Sequence, residues 1–213
     1  MTRSDLTHLY FLLDRSGSMQ SIKADTEGGF AAFVAEQRSA PGECRVTLAQ
    51  FDDSYEVVYA DRTLSEVPTL DLRPRGSTAL LDAMGRLVTD AGASLATLEE
   101  EERPGTVIVA VMTDGMENAS KEWTHPAIKA LVEQQSEVYG WQFMYMGADQ
   151  DAIEVGVSLG VSRDASVTYS RGKAGAVMAS ASDKVKRMRE ARVSAPSAPL
   201  PAYTDAERRS LAE

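Results

Sequence analysis

The chain has 213 residues, 43% of them hydrophobic and 25% charged, and its formal net charge at neutral pH is -10. This composition excludes an intrinsically disordered chain, and the length suits one domain with a sizeable core better than two. The acidic balance argues against nucleic acid as a partner, because binding to phosphates depends on a basic surface.

Cysteine content and apolar segments give expectations about location. Cys44 is the only cysteine, so no internal disulfide can form, and its neighbours are typical of a strand with a small buried thiol. The apolar run near the amino end is too short for a signal peptide, and no segment approaches the length of a membrane span. We therefore expect a cytoplasmic protein without a membrane partner.

Predicted strands come first in chain order. Residues 9–13 (LYFLL) form a continuous apolar run, as expected of a strand covered on both faces. Two β-rich runs follow, and only Asp52 and Asp53 separate them, which predicts an antiparallel hairpin with these aspartates as turn residues. Further strands are predicted at residues 106–113 and 142–147, with a weaker edge strand at 166–170.

Apolar residues at helical spacing predict helices between these strands. The first helix has Gly28 and Gly29 in its middle, which we attribute to close packing against the sheet. Pro126 suits the first turn of a later helix. The predicted buried stripes are Ile22, Phe30, Phe33 and Val34; Leu80, Leu81, Met84, Leu87 and Val88; Ile128, Leu131, Val132 and Val138; and Val177, Ala181, Val185 and Met188. The last helix also carries a basic face that we expect to be solvated: Lys184, Lys186, Arg187, Arg189 and Arg192.

Alternating strands and helices predict an α/β fold with a mostly parallel central sheet, one antiparallel edge strand and helices on both faces. We assign residues 1–193 to this domain. Residues 194–213 begin with a segment rich in proline, alanine and serine, so we predict a linker and a loosely held tail there.

Oxygen-bearing side chains follow two of the predicted strands. Asp14, Ser16 and Ser18 come directly after the first strand, and Asp114 follows the strand at 106–113. Thr78 precedes a strong helix and can point to the same place. Because ligands of such sheets bind beyond the carboxyl ends of the parallel strands, we expect these five side chains to meet at one rim.

Each of these residues alone has an ordinary structural explanation. Ser16 or Ser18 could cap the start of a helix, and Thr78 could be the N-cap of the helix that follows it. Asp114 precedes a glycine, a common turn signal. Only the three loops taken together favour a site.

The chemistry of that combination indicates a hard cation. Two carboxylates and three hydroxyls, without histidine or cysteine, suit Mg²⁺, Mn²⁺ or Ca²⁺ and would serve zinc or copper poorly. Two carboxylates balance the charge of a divalent ion, whereas hydroxyls are weak neutral donors. An ion held in this way still attracts one more anionic oxygen.

The stretches FLLDRSGSM, RGSTALLDA and VMTDGMEN, with these five residues, resemble the von Willebrand factor A (VWA) domain and its metal-ion-dependent adhesion site. The later stretch MGADQDA is similar to a pattern in stand-alone cytoplasmic bacterial and phage members. The resemblance implies a Rossmann-like domain that holds Mg²⁺, or Mn²⁺ or Ca²⁺, through Asp14, Ser16, Ser18, Thr78 and Asp114. It also implies a protein partner whose Asp or Glu completes the coordination, with no catalysis.

Neighbouring residues have secondary expectations. Asp149 and Asp151 follow a strand at the same rim, and we expect one of them to cap the next helix. Asn118 is expected to support the aspartate loop. We expect Trp141 and Tyr145 to be core residues rather than a recognition surface.

Two other functions compete with metal-dependent protein binding. An enzyme could use Asp14 in Mg²⁺-dependent phosphoryl transfer or hydrolysis, but such enzymes need a carboxylate two residues later, where this chain has Ser16. The two histidines, His8 and His125, have no catalytic context, and no phosphate-binding glycine loop is present. A scaffold without metal dependence is disfavoured because all five ligand types are present. Partner identity and oligomeric state stay open.

Overall fold

A six-stranded sheet organises the protein, and a computed structural model describes it for residues 2–213. The strand order is β3-β2-β1-β4-β5-β6; β2 and β3 pair antiparallel, and the other neighbours pair parallel. This confirms the predicted α/β class, the hairpin and the antiparallel edge strand. The strands are β1 (Arg3–Asp14), β2 (Glu43–Phe51), β3 (Tyr55–Thr63), β4 (Pro104–Thr113), β5 (Gln142–Ala148) and β6 (Ser166–Tyr169).

Helices cover both faces of the sheet, which explains why β1 is apolar along most of its length. Phe11 and Leu13 of β1 lie in the core on one face, whereas Tyr10 and Leu12 lie in the core on the other. The helices are α1 (Lys23–Gln37), α2 (Leu80–Ala96), α3 (His125–Tyr139), α4 (Ala152–Ser158), α5 (Ala174–Arg192) and α6 (Asp205–Ala212). Between residues 2 and 213, no helix combines the length and the apolar character needed to span a bilayer.

Helix α3 begins as predicted but buries fewer residues than its pattern suggested. Thr124 caps its start, with Pro126 in the first turn, and Ile128 and Val132 are fully buried. Val138, by contrast, is 67% exposed, so its assignment to the buried stripe is wrong. It lies six residues beyond Val132, which turns its side chain away from the face that the i, i+4 pair buries.

The glycines of α1 allow close packing, although the contact differs from our expectation. A Cβ on Gly29 would lie 3.0 Å from the Cα of Gly175 and 3.1 Å from the Cβ of Met178, both in α5. Gly28 has nothing within 4 Å of such an atom. The close approach is therefore between two helices, not between a helix and the sheet.

The basic face predicted for α5 is only partly solvated. Lys184, Arg189 and Arg192 are buried, with 3%, 4% and 9% of their surfaces exposed. Arg189 donates hydrogen bonds to three backbone oxygens near the end of α1 and the start of β2, and Arg192 donates to Thr106 in β4. These arginines tie α5 to the sheet because their long stems pack in the core while their polar ends find acceptors.

The carboxyl-terminal residues pack on the domain, so the loosely held tail that we expected is not present. Tyr203 and Leu211 are buried in the main core, and Thr204 and Glu207 form a capping box at the start of α6. Glu207 also accepts hydrogen bonds from the buried Lys184. Two apolar anchors and an ion pair to a buried lysine hold this segment in place; a domain boundary at residue 193 stays a prediction.

Candidate metal site

The site lies where β1 and β4 end side by side in the middle of the sheet. Leu13 pairs with Met112 in the parallel register, so Asp14 and Asp114 follow at the same rim. Asp14 is fully buried, and both of its carboxylate oxygens are engaged. Its Oδ1 accepts a hydrogen bond from the backbone N–H of Ser16 at 2.6 Å, and its Oδ2 accepts one from the hydroxyl of Thr113 at 2.5 Å.

A chain of short contacts joins the first loop to the second. The hydroxyls of Ser16 and Ser18 lie 3.0 Å apart, and the hydroxyl of Ser18 donates to Asp114 Oδ1 at 2.6 Å. The side chain of Asp114 is inaccessible to solvent. Four of the five predicted ligands therefore form one connected group.

Thr78 faces the same group from the third loop. A Cβ added to Gly115 would lie 2.7 Å from Thr78 Oγ1 and 3.5 Å from Asp14 Oδ2, so the hydroxyl and the carboxylate border the same small space. Asn118 holds the backbone of Thr78 with two hydrogen bonds, one in each direction, both 3.0 Å long. Asn118 thus has the supporting role that we expected, and it supports the site by fixing the backbone of Thr78.

None of the ordinary structural roles explains these side chains. The N-cap of α2 is Ala79, not Thr78, so the hydroxyl of Thr78 is not the cap of that helix. Ser16 stands at the start of the short helical turn after β1, but its side chain makes no capping hydrogen bond. Asp114 bonds across to Ser18 rather than within its own turn. The structure brings the five residues together; that they hold a metal stays a prediction.

The electrostatics of the group favour a cation. Burial raises the pKa of Asp14 to about 6, against the hydrogen bonds from Thr113 and Ser16, and the nearby charge of Asp114 adds to the rise. Burial also raises the pKa of Asp114, with Ser18 and Arg171 acting in the opposite direction. It is unfavourable for two neighbouring buried carboxyl groups to be ionised at the same time, and a bound divalent cation would remove that electrostatic cost.

The residues present also fit a hard divalent ion in their chemistry. Asp114 Oδ2 is a buried oxygen that has no hydrogen-bond partner within residues 2–213. Such an oxygen is costly unless something binds it. No group of three or more His, Cys, Asp or Glu residues suited to a metal occurs in that part of the chain. Three of the five predicted ligands are hydroxyls and the other two are carboxylates, so the site suits ions that prefer oxygen ligands.

Asp52 positions the loops of the site, a role that its sequence context did not reveal. As expected of a hairpin turn, its Oδ1 accepts from the backbone N–H of Ser54. Its Oδ2 accepts from Arg15 at 3.0 Å and from Arg75 at 2.7 Å, and its backbone oxygen accepts from Ala79. One buried carboxylate thus joins the loop after β1 to the loop that carries Thr78.

The loop after β4 is tied to α2 by two carboxylates that the sequence did not single out. Glu117 accepts from the backbone N–H of Leu81 at the start of α2 and from three donors in its own loop. Asp82 of α2 accepts from three consecutive backbone N–H groups, those of residues 121–123. The position of Asp114 relative to Thr78 is therefore held by hydrogen bonds on both sides.

Arg171 is a further neighbour that sequence reasoning missed. It follows β6, and its Nε lies 3.5 Å from Asp114 Oδ2 and 3.4 Å from Asp149 Oδ2. Asp149 thus borders the site, whereas Asp151 caps α4, as expected for one of the pair. Trp141 and Tyr145 are core residues, as predicted.

Comparisons with known proteins show the fold. No family model matches the sequence, and no curated protein is significantly similar to it. Among solved structures, the vWF domain of the type V pili tip protein Mfa5 from Porphyromonas gingivalis has a TM-score of 0.59 at 12% identity, over 84% of this chain and 94% of that one.

Two longer proteins contain a similar domain. Proximal thread matrix protein 1 from the mussel byssus, with a zinc-occupied MIDAS motif, gives a TM-score of 0.58 at 15% identity over 83% of this chain. The open conformation of the pilus adhesin SpaC from Lactobacillus rhamnosus GG gives 0.64 at 13% identity over 85%. The present chain covers 44% and 30% of these two structures, less than half of either. It has the fold of von Willebrand factor A domains.

Proposed function

We propose that this chain, with its von Willebrand factor A fold, is a non-enzymatic protein-binding module that depends on a divalent cation. Asp14, Ser16, Ser18, Thr78 and Asp114 would hold the ion, and an Asp or Glu side chain of a protein partner would complete its coordination. The observation that carries the proposal is the convergence of five oxygen-bearing side chains from three loops at one rim, where the buried Asp114 Oδ2 accepts no hydrogen bond.

Mg²⁺ is the first choice of ion, with Mn²⁺ and Ca²⁺ as alternatives. All three bind oxygen ligands, and Mg²⁺ keeps positions for ligands from outside the protein. When bound, the ion supplies an electrophilic centre that attracts an anionic oxygen. The hydroxyls of Ser16, Ser18 and Thr78 would orient the ion without neutralising it, so its attraction for a carboxylate is retained.

The comparisons agree with this proposal in kind. One similar structure has a zinc-occupied MIDAS motif and another is a pilus adhesin, so this fold is used for metal binding and for adhesion in those proteins. We extend the metal and the adhesive role to the present chain on the strength of its own five side chains. We also propose a cytoplasmic location, in keeping with the free buried thiol of Cys44.

Features of the site argue against the enzymatic alternative. The residue two positions after Asp14 is Ser16, which cannot act as the acid and base that phosphoryl transfer requires. His8 lies six residues before Asp14 in β1, about 20 Å away along the strand, so it cannot reach the site.

Calorimetric titration with Mg²⁺ tests the metal site. We expect the wild type to bind one ion and Asp14→Ala to bind it at least about tenfold more weakly, because a charged ligand is lost. Asp151→Ala is the matched control: it removes a carboxylate at the same rim that caps α4, and it should bind Mg²⁺ as the wild type does. Equal Mg²⁺ affinity in the wild type and Asp14→Ala would end the proposal.

Affinity capture from the native host tests the partner. The wild type is used as bait in Mg²⁺ and again in EDTA, with Asp14→Ala in Mg²⁺ as the matched bait. A partner of the proposed kind is retained only by the wild type in Mg²⁺, and it loses binding when its own contacting Asp or Glu is changed to alanine. Capture that is the same with all three treatments would indicate a scaffold without metal dependence.

A further inference from the structure

Arg171 stands at the rim of the candidate site on a well-anchored segment. The backbone N–H of Ser170 donates to the backbone oxygen of Leu211 in α6, and the N–H of Gly175 donates to Asp25 in α1. The segment between them is therefore fixed at both ends. The side chain of Arg171 is 46% exposed and reaches Asp114 and Asp149 with its Nε.

The guanidinium of Arg171 has unused hydrogen-bonding capacity. Its two ion pairs are 3.4 and 3.5 Å long, and neither is a hydrogen bond; in residues 2–213 its side chain donates to nothing. By contrast, Arg15 and Arg75 at the same end of the sheet both donate to carboxylates. A planar fork of five N–H donors that make no hydrogen bond is suited to an incoming group with two oxygens in one plane.

A partner carboxylate has two such oxygens, and a metal ion would use one of them. The second oxygen needs a donor, and the five predicted ligand side chains are committed to each other, to the backbone or to the ion. Arg171 is the cation nearest to Asp114, since its Nε lies 3.5 Å from Asp114 Oδ2. It is therefore placed to receive the second oxygen of an acid that enters beside Asp114.

We propose that Arg171 is the second anchor for the acidic side chain of the partner: one carboxylate oxygen binds the ion and the other accepts from the guanidinium. This inference rests on the proposed function and adds a specificity determinant to it. A neutral amide or hydroxyl offers the ion an oxygen but no second anionic oxygen for Arg171. The residue thus selects a carboxylate over neutral ligands.

The same position gives Arg171 an opposite effect on the metal. Its positive charge pairs with Asp114, so it repels a cation that binds there and competes for that carboxylate. Replacing Arg171 by glutamine should therefore strengthen the binding of Mg²⁺ while weakening the binding of a carboxylate to the loaded site. If Arg171 had only a structural role, its replacement would distort the rim and lower the affinities for Mg²⁺ and for the carboxylate together.

The test uses the full chain and two titrations. Calorimetry measures the affinity for Mg²⁺ alone, and chemical-shift titration measures the binding of acetate and of acetamide to the Mg²⁺-saturated protein. We expect Arg171→Gln to bind Mg²⁺ about two- to tenfold more tightly and acetate about tenfold more weakly, with no change for acetamide. Lys173→Gln removes the same charge two residues away, outside any recorded contact with the site, and should change each affinity by less than about twofold.

The outcomes separate this inference from the function on which it rests. Acetate that binds Arg171→Gln as tightly as the wild type would overturn the role of Arg171 alone, and so would a parallel loss of Mg²⁺ and acetate affinity. A wild type that does not bind Mg²⁺, or that binds acetate equally well in EDTA, would overturn the proposed function and this inference with it.

Discussion

Substitution of Gly115 by alanine tests the geometry of the candidate site most directly. The added Cβ would lie 2.7 Å from Thr78 Oγ1, whereas ordinary contacts of such an atom begin at 3.4 Å, so the hydroxyl must move by about 0.7 Å to restore normal packing. The backbone of Thr78 is held by Asn118. The available movement is therefore rotation of the side chain, which turns the hydroxyl away from the shared space.

Such a movement should be cheap for the fold and costly for the metal. Ligand distances in metal sites are held within about 0.2 Å, and Mg²⁺ demands near-ideal octahedral geometry, whereas Ca²⁺ accepts a wider range. We expect Gly115→Ala to lower Mg²⁺ affinity by about 10- to 100-fold, equivalent to about 1.4–2.7 kcal/mol, and Ca²⁺ affinity by less. The free energy of unfolding without metal should change by no more than about 1 kcal/mol.

Calorimetric titrations with both ions, together with urea unfolding in EDTA, measure these quantities. Gly172→Ala is the matched control, because a Cβ at position 172 meets nothing within 4 Å, and it should bind both ions like the wild type. A folded Gly115→Ala protein with wild-type Mg²⁺ affinity would show that Thr78 Oγ1 is not a ligand, and the reasoning would fail at that point.

Three further changes test the structure around the site. Burial opposes the ionisation of Glu207, but hydrogen bonds from Thr204 and Lys184 lower its pKa to about 2. Glu207→Gln should therefore cost about 1–2 kcal/mol of unfolding free energy at pH 7. Because the pKa is lower in the folded state than in the unfolded state, this deficit should shrink below about pH 4.3 and disappear near pH 2, and urea unfolding that shows the same deficit at pH 3 and pH 7 would contradict the ion pair. Tyr203→Ala should lower the unfolding free energy by about 3 kcal/mol through the cavity it leaves, whereas a negligible change would mean that the tail is loosely held after all. Asp52→Asn should weaken Mg²⁺ binding by about tenfold in calorimetry, since two arginines lose their shared carboxylate, and unchanged binding would remove its positioning role.

The strands, the hairpin and the mostly parallel character of the sheet were accessible from the sequence because their signal is local. A strand covered on both faces must be apolar at consecutive positions, and β1 shows this from Leu9 to Leu13. The short join at Asp52 and Asp53 leaves room only for a hairpin. Pro126 marks the first turn of α3, because proline lacks the N–H that this turn leaves unpaired. Each of these signals acts within a few residues of the chain.

The side chains around the site were harder to predict, because their partners are distant in the chain. Nothing next to Arg171 in the sequence indicates that β6 delivers it to Asp114, and nothing near Glu117 indicates that it caps α2. Lys184 has the same neighbours as a solvated lysine would have, yet Glu207 and the backbone of residue 202 bury it. Composition likewise predicted a loose tail, because two apolar anchors, Tyr203 and Leu211, hardly change the average composition of a segment rich in proline, alanine and serine.

The sequence by itself determined the layers of this protein and the identity of five oxygen-bearing side chains at one end of its strands. Covalent spacing sets both, because apolar periodicity and the residues that directly follow a strand or precede a helix are properties of a continuous segment. Only the tertiary structure decided that Asp52 joins two loops, that Arg171 stands beside Asp114, and that α6 is packed on the domain. These contacts form only when elements far apart in the chain pack together, and no local pattern specifies which charge will meet which.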